Sequence, residues 1–379
     1  MHDADAIAKL GRRFRHARLH RGAYRALPSR RVYIPKPDGR QRPLAVAALE
    51  DKIVQRATTG VLNAIYEEDF LGFSYGFRPK RGQHDALDAL VVGITTKKVN
   101  FILDADIRSY FDTVNQTWLI RFLKHRINDP RMIRLIQKWL KAGVLEAGVV
   151  TISETGTGQG SVISPLLANV YLHYVFDLWA ERWRRREATG DMIIVRYADD
   201  IIVGFQYETD ARRFWDAMRE RLAEYSLSLH SDKTHLIEFG RFAADQRIRR
   251  GLGKPETFNF LGFTFICGRS RRGRFALKRK SRSDRMRAKL KEIKKEMRRR
   301  MHHPVPEQGK WLRQVVTLWG TRVSPSTVSE LNKKIYGTIE AWRNRPIEGG
   351  HPYVYLDGIV LKRSWPARSA TSRCLSRSA

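Results

Sequence analysis

The chain has 379 residues, 42% of them hydrophobic, enough to bury a large core, so it is not intrinsically disordered, and its length suggests two or three domains. Lys and Arg number 71 against 39 Asp and Glu, a formal net charge of +32 that repels itself unless a polyanion neutralises it, so nucleic acid is the expected partner. Cys267 and Cys374 fit neither a disulfide framework nor a zinc spacing, and no apolar run approaches the roughly 18 residues of a membrane span. A cytoplasmic protein with no membrane partner is therefore expected.

From Arg31 to Val46, RVYIPKPDGRQRPLAV sets two short β-prone arms around Pro37-Asp38-Gly39, which predicts a hairpin carrying Lys36, Arg40 and Arg42. Ile53, Val54, Ala57, Val61, Leu62 and Ile65 recur at helical spacing between Leu49 and Tyr66. The run Val99 to Ile107, VNFILDADI, reads as a strand with Asp104 and Asp106 on one face and Ala105 and Ile107 on the other. Gly156 to Gly160, GTGQG, forms a loop. Ser164-Pro165 then opens a helix, with Ser164 expected as its N-cap, running to about Arg185. Leu166, Leu167, Val170, Tyr171, Tyr174, Val175 and Leu178 are its expected core stripe.

In MIIVRYADDIIVGF, residues 192–205, two apolar β-branched runs flank Ala198-Asp199-Asp200 at a hairpin tip. Two acids at the centre of a hydrophobic hairpin have a large desolvation cost unless they are paired or bound to metal. From Ser281 to Arg300 ten of twenty residues are Lys or Arg, while Met286, Leu290, Ile293 and Met297 recur at helical steps. This predicts an amphipathic helix with a basic outer face, suited either to solvent or to a phosphate backbone.

Joining a nucleotide to a primer is an in-line phosphoryl transfer, which a pair of divalent ions can promote by binding the attacking and leaving oxygens. Magnesium needs carboxylate oxygens but keeps several waters, so a few acids suffice. Asp106 on one strand and Asp199 with Asp200 on a neighbouring hairpin are candidates.

YADD between apolar strands, IPKPDGRQRPL, SYGFRPKRG, LDADIRSYFD, QGSVISPLLANVYLHYVFD and FLGF occur in the order and approximate spacing of bacterial group II intron reverse transcriptases, and from about Arg21 to Thr317 the chain resembles that family. The resemblance implies an α+β right-hand polymerase: fingers over residues 1–98, a palm over 99–270 and a partial, basic helical thumb over 271–317. It implies an RNA-directed DNA polymerase that also binds intron RNA as a maturase, with two Mg2+ ions as cofactor. Its partners would be group II intron RNA, a DNA primer or target, and deoxynucleoside triphosphates. Asp106 and Asp199 resemble the principal metal ligands and Asp200 a supporting one. Lys36 and Arg42 resemble the cations on the triphosphate. Tyr110, ahead of its neighbour Phe111, resembles the aromatic residue that excludes a 2′-hydroxyl. Gln159 falls in the loop lining the nucleotide pocket, Lys233 resembles a lysine that could protonate pyrophosphate, and Phe260, Leu261 and Gly262 resemble the primer grip.

Some features depart from that family. Gly158 stands where a proline is expected, which predicts a looser loop beside Gln159. The N-terminal template-holding segment is not recognisable, and the thumb pattern breaks after WLRQVVT. Residues 318–365 instead resemble a fragment of a mutator-type DDE transposase, with Asp357 like its first catalytic acid, and 366–379 read as a disordered tail. Two alternatives accompany the polymerase reading: a catalytically impaired RNA-binding remnant, and a transposase-related DNA-binding fragment.

Overall fold

Apolar alternation builds the centre of the molecule. In β3, Phe101–Asp106, the odd and even positions face two different cores, and the same holds for β6, Met192–Tyr197, and β7, Asp200–Phe205. With β8, His235–Glu238, these strands form an antiparallel sheet in the order β6-β7-β3-β8. The computed structural model describes residues 18–19, 22–35, 39 and 41–318; Lys36, Pro37, Asp38, Arg40, the transposase-like 319–365 and the 366–379 tail lie outside the described residues.

One face of the central sheet presents Leu103, Ala105, Ile194, Ile201 and Val203 to a helical layer. That layer comprises α4, Gln116–Arg126, α5, Pro130–Leu140, α6, Ser164–Leu172, α7, Leu178–Arg186, and α8, Glu208–Glu224. It also includes the π-helical turn His173–Asp177 between α6 and α7. The opposite face presents Ile102, Ile193, Val195 and Ile202 to α2, Gln83–Thr96, and to Phe258, Phe260 and Phe265 of a second sheet. That second sheet is β9, Phe258–Phe260, β10, Phe263–Arg269, and β11, Phe275–Ser281. Burying both faces accounts for the almost unbroken apolar runs in β6 and β7.

A third sheet carries the hairpin of β1, Ser29–Pro35, and β2, Gln41–Val46, as the sequence predicts, and α1 spans Leu49–Tyr66 as its spacing predicts. Two short strands, β4, Val144–Glu146, and β5, Val149–Thr151, extend this sheet, with β1 and β4 parallel. Smaller helices are α3, Tyr110–Thr113, and α9, Ala243–Arg249.

Two expectations for the long helix are corrected. Ser164 is its first residue rather than the cap: its hydroxyl donates to the carbonyls of Thr157 and Gly158 instead of accepting from a helix amide. The π turn then adds residues to the helical repeat and rotates the next helix about its axis, so Leu178, assigned to the core stripe, is 39% exposed.

The chain divides into two units, residues 1–292 and 293–379. Helix α10, Ser283–Arg299, crosses that boundary with no residue buried, so its apolar positions Met286, Leu290 and Met297 are open rather than packed. In the second unit α11 spans Val305–Leu318, and Arg300 lies over the Trp311 ring while pairing with Glu296 at 2.7 Å. Among the described residues no helix is long and apolar enough to cross a membrane.

Candidate active site

The connection between β6 and β7 is two residues long, because Tyr197 pairs with Asp200 and only Ala198 and Asp199 lie between them. Such a tight turn demands left-handed backbone, and Ala198 supplies it with φ of +56°. Next to this hairpin, β3 runs antiparallel to β7 with Asp106 directly opposite Asp200. Directly opposed residues have Cα atoms about 4.5–5.5 Å apart and project to the same face, so the structure brings Asp106, Asp199 and Asp200 to one sheet end. Asp104, two residues back on β3, shares that face.

These carboxylates feel one another. Burial, then Asp200 and Asp106, push the Asp104 carboxyl up to about 7. Burial, then Asp199 and Asp106, push Asp200 up to about 6, against the pull of Lys233 and Arg285. Asp199 is raised chiefly by burial, with Asp106 adding to it and Arg42 and Lys233 opposing it. Asp200 is solvent-exposed, so water screens it more than the half-buried Asp104, and Asp104 is the firmer case. The excess of negative charge over nearby cations suits a divalent ion, and the all-oxygen donor set suits magnesium. Among the described residues no three acidic, His or Cys side chains are placed so that together they could hold a metal ion, and the Lys233 ammonium pairs with Asp106 Oδ2.

Arg42 comes from β2 and is held by the GTGQG loop. With its amide oxygen assigned toward Arg42, Gln159 accepts from Arg42 Nη2 at 2.6 Å and Nε at 3.1 Å, and its amide nitrogen donates to the Pro43 carbonyl at 3.1 Å. The loop is docked at both ends: Ala45 N donates to Gln159 O at 2.6 Å, and Thr157 N donates to Phe111 O at 3.0 Å. Gly158 does not loosen it. Its φ of +69° is closed to proline, and its carbonyl accepts from Ser161 N at 3.1 Å and Ser164 Oγ at 3.0 Å.

Tyr110 is a correction. After left-handed Ser109, φ +47°, the short α3 turns the Tyr110 ring inward, where it is 2% exposed and its hydroxyl donates to Ala168 O at 2.5 Å. A buried, committed side chain cannot meet a ribose. Its neighbour Phe111 is half-buried, stands edge-on to Phe77 at 6.3 Å, and is the residue of the two left open to solvent.

Phe260, Leu261 and Gly262 form the β9–β10 turn, with φ of +47° at Leu261 and +83° at Gly262. The turn lies over the same face of the central sheet as the acids: Phe260 is in its core and the Gln83 amide donates to Leu261 O. Arg196, the one charged residue inside MIIVRYA, carries no motif of its own and is missed from the sequence. Its isolation is nevertheless a signal, because a cation in a buried strand needs designated partners.

A family profile described as reverse transcriptase (RNA-dependent DNA polymerase) matches residues 34–265. A second, described as Transposase, Mutator family, matches residues 269–374, so the segment after β10 falls within the transposase-like match from an earlier point than its sequence pattern suggests. Protein YkfC of Escherichia coli is 34% identical over 287 residues, 66% of this chain and 70% of that protein. The group II intron-encoded protein LtrA of Lactococcus lactis is 39% identical over 156 residues, 41% of this chain but only 26% of LtrA. A solved apo telomerase from Candida tropicalis superposes with a TM-score of 0.50 at 15% identity, over 67% of this chain and 55% of that one, a likeness of fold alone.

Proposed function

The chain belongs to the reverse transcriptase (RNA-dependent DNA polymerase) family, and from that premise we propose that it extends a primer with deoxynucleotides on an RNA template. The observation that carries this reading is the register of β3 and β7, which sets Asp106 opposite Asp200 with Asp199 in the adjoining turn. Asp106 and Asp199 are the proposed principal ligands of two magnesium ions, with Asp200 in support. Magnesium at this position would supply the positive charge that stabilises the attacking and leaving oxygens.

In the reaction the primer 3′-hydroxyl gives up its proton to solvent water and its oxygen bonds to the α-phosphorus of the incoming nucleotide. The bond from that phosphorus to the bridging oxygen breaks, and pyrophosphate leaves. The chain's own residues position these groups. Arg42, oriented by the two hydrogen bonds it donates to Gln159, offers a guanidinium for the triphosphate. Lys36, outside the described residues, is proposed to share that work. Phe111, rather than Tyr110, is proposed to lie under the ribose and exclude a 2′-hydroxyl. Lys233, on Asp106, is the candidate proton source for pyrophosphate. The β9–β10 turn is proposed as the primer grip, within fingers to residue 98, a palm over 99–270 and a partial thumb over 271–317. Intron RNA is the proposed template and maturase ligand, a reading supported by the similarity to LtrA.

Primer extension on an RNA template with magnesium tests the proposal, using the purified chain and Asp199→Ala. Extension by the first and none by the second is expected. Equal background synthesis by both refutes the enzyme and leaves a nucleic-acid binding protein.

A further inference from the structure

Arg196 lies on β6 beside the catalytic turn, but on the opposite face of the sheet from the carboxylates, toward the helical layer. Its relative exposure is 0%, and so is that of Asp177, the last residue of the π turn. The two form a bidentate pair, Nε to Oδ1 at 2.7 Å and Nη2 to Oδ2 at 2.6 Å. The remaining donors are also placed: Nη2 to Ser74 Oγ at 2.7 Å, Nη1 to Asn169 Oδ1 at 3.0 Å, and Nη1 to the Ala198 carbonyl at 3.0 Å. All five guanidinium N–H groups are thus used, and one of them ends on the backbone of the two-residue tip itself.

The partners come from three separate parts of the chain, and each is fixed in turn. Asn169 of α6 passes its amide on to Gly76 O at 2.5 Å. The segment around Ser74 is bridged to the strand, with Arg196 N donating to Phe73 O and Tyr75 N donating to Arg196 O, each at 2.8 Å. Gly76 presses so closely on the tip that a Cβ there would stand 2.3 Å from Ala198 N. Arg78 anchors the same segment from its far end, donating to Leu71 O at 2.9 Å, to Ser74 O at 2.8 Å and to Glu67.

A fully buried ion pair is poor evidence for stability, because desolvation offsets its Coulomb attraction and apolar side chains of similar size can replace it. It does specify geometry, since a planar fork accepts only one arrangement of its partners. We propose that Arg196 is a positioning residue that, through Asp177, Ser74 and Asn169, fixes the Ala198 carbonyl and hence the direction in which Asp199 presents its carboxylate. Its effect on metal affinity rests on the metal site proposed above, and its effect on rate rests in addition on the polymerase reading.

Two variants test it. Arg196→Lys keeps the charge and loses the fork; Arg196→Met combined with Asp177→Leu removes both charges and leaves no buried ion unpaired. Each is measured by unfolding midpoint, by Mn2+ affinity from the electron paramagnetic resonance of free Mn2+, and by primer extension. A folded variant should bind Mn2+ about tenfold more weakly. It should also lose kcat by about tenfold or more and need a higher half-saturating magnesium concentration, with KM for nucleotide within about twofold. A purely structural role would lower the unfolding midpoint and leave metal demand unchanged. If either variant folds with wild-type Mn2+ affinity, the proposal fails. If the wild-type chain binds Mn2+ but extends no primer, the polymerase reading fails while the Mn2+ comparison still decides the role of Arg196.

Discussion

Replacing Asp104 by asparagine removes one of four carboxylates from the sheet end while keeping the side chain's shape, and the sign of its effect depends on pH. Burial and the neighbours Asp200 and Asp106 raise this carboxyl to about 7, whereas in an unfolded chain it titrates near about 4. Between those values the folded chain holds a proton that the unfolded chain has released. Stability therefore falls as pH rises through that window and levels off above it. Each pH unit of the gap is worth about 1.4 kcal/mol, giving a ceiling of about 4 kcal/mol, which solvent access to a half-buried group reduces to roughly 2 kcal/mol. Asparagine is neutral throughout. In urea unfolding with a chelator present, Asp104→Asn should therefore gain about 2 kcal/mol at pH 8 and nothing at pH 4, at unchanged denaturant slope. Wild-type stability at pH 8, or the same gain at both pH values, would refute the electrostatic picture of the site.

The same geometry sets three further outcomes. Magnesium should raise the melting temperature of the wild-type chain more at pH 8 than at pH 5, since the raised carboxyls of Asp104 and Asp200 must shed protons before a cation is well held, and Asp106→Asn should abolish the shift in a thermal melt. Phe111→Val should raise incorporation of ribonucleotides by about tenfold or more. By contrast, Tyr110→Phe should leave sugar discrimination alone and lose about 1 kcal/mol with its hydrogen bond to Ala168 O; paired single-nucleotide incorporation and unfolding assays separate the two. Gly76→Ala should destabilise by about 3 kcal/mol in urea unfolding, because the new methyl meets backbone at Ala198 rather than a side chain that can move.

The parts of this fold legible in the sequence are those set by local chemistry. The β1–β2 hairpin, α1, β3 and the β6–β7 hairpin each announce themselves through alternation, helical spacing or turn residues, and strand parity alone puts Asp104 and Asp106 on one face. What escapes depends on how elements meet. Which of Tyr110 and Phe111 faces outward is decided by left-handed Ser109, a backbone state that a serine does not advertise. The π turn that uncovers Leu178 and brings Asp177 to Arg196 has no signature in an apolar stripe. The glycine at 158 reads as a flexible substitute for proline until its positive φ and the two donors on its carbonyl show a fixed turn. The open apolar edge of α10 is equally invisible from spacing, which reports amphipathicity and not whether anything covers it.

Iron-directed hydroxyl-radical cleavage tests the central claim most directly, because Fe2+ can take a magnesium position and, with ascorbate and peroxide, cuts the backbone beside its ligands. Cleavage of the native chain at residues 104–106 and 198–200 together, suppressed by excess magnesium and lost in Asp106→Asn, is the predicted result. Cuts confined to one of those segments, or a pattern indifferent to magnesium, would contradict a shared metal centre between the two strands.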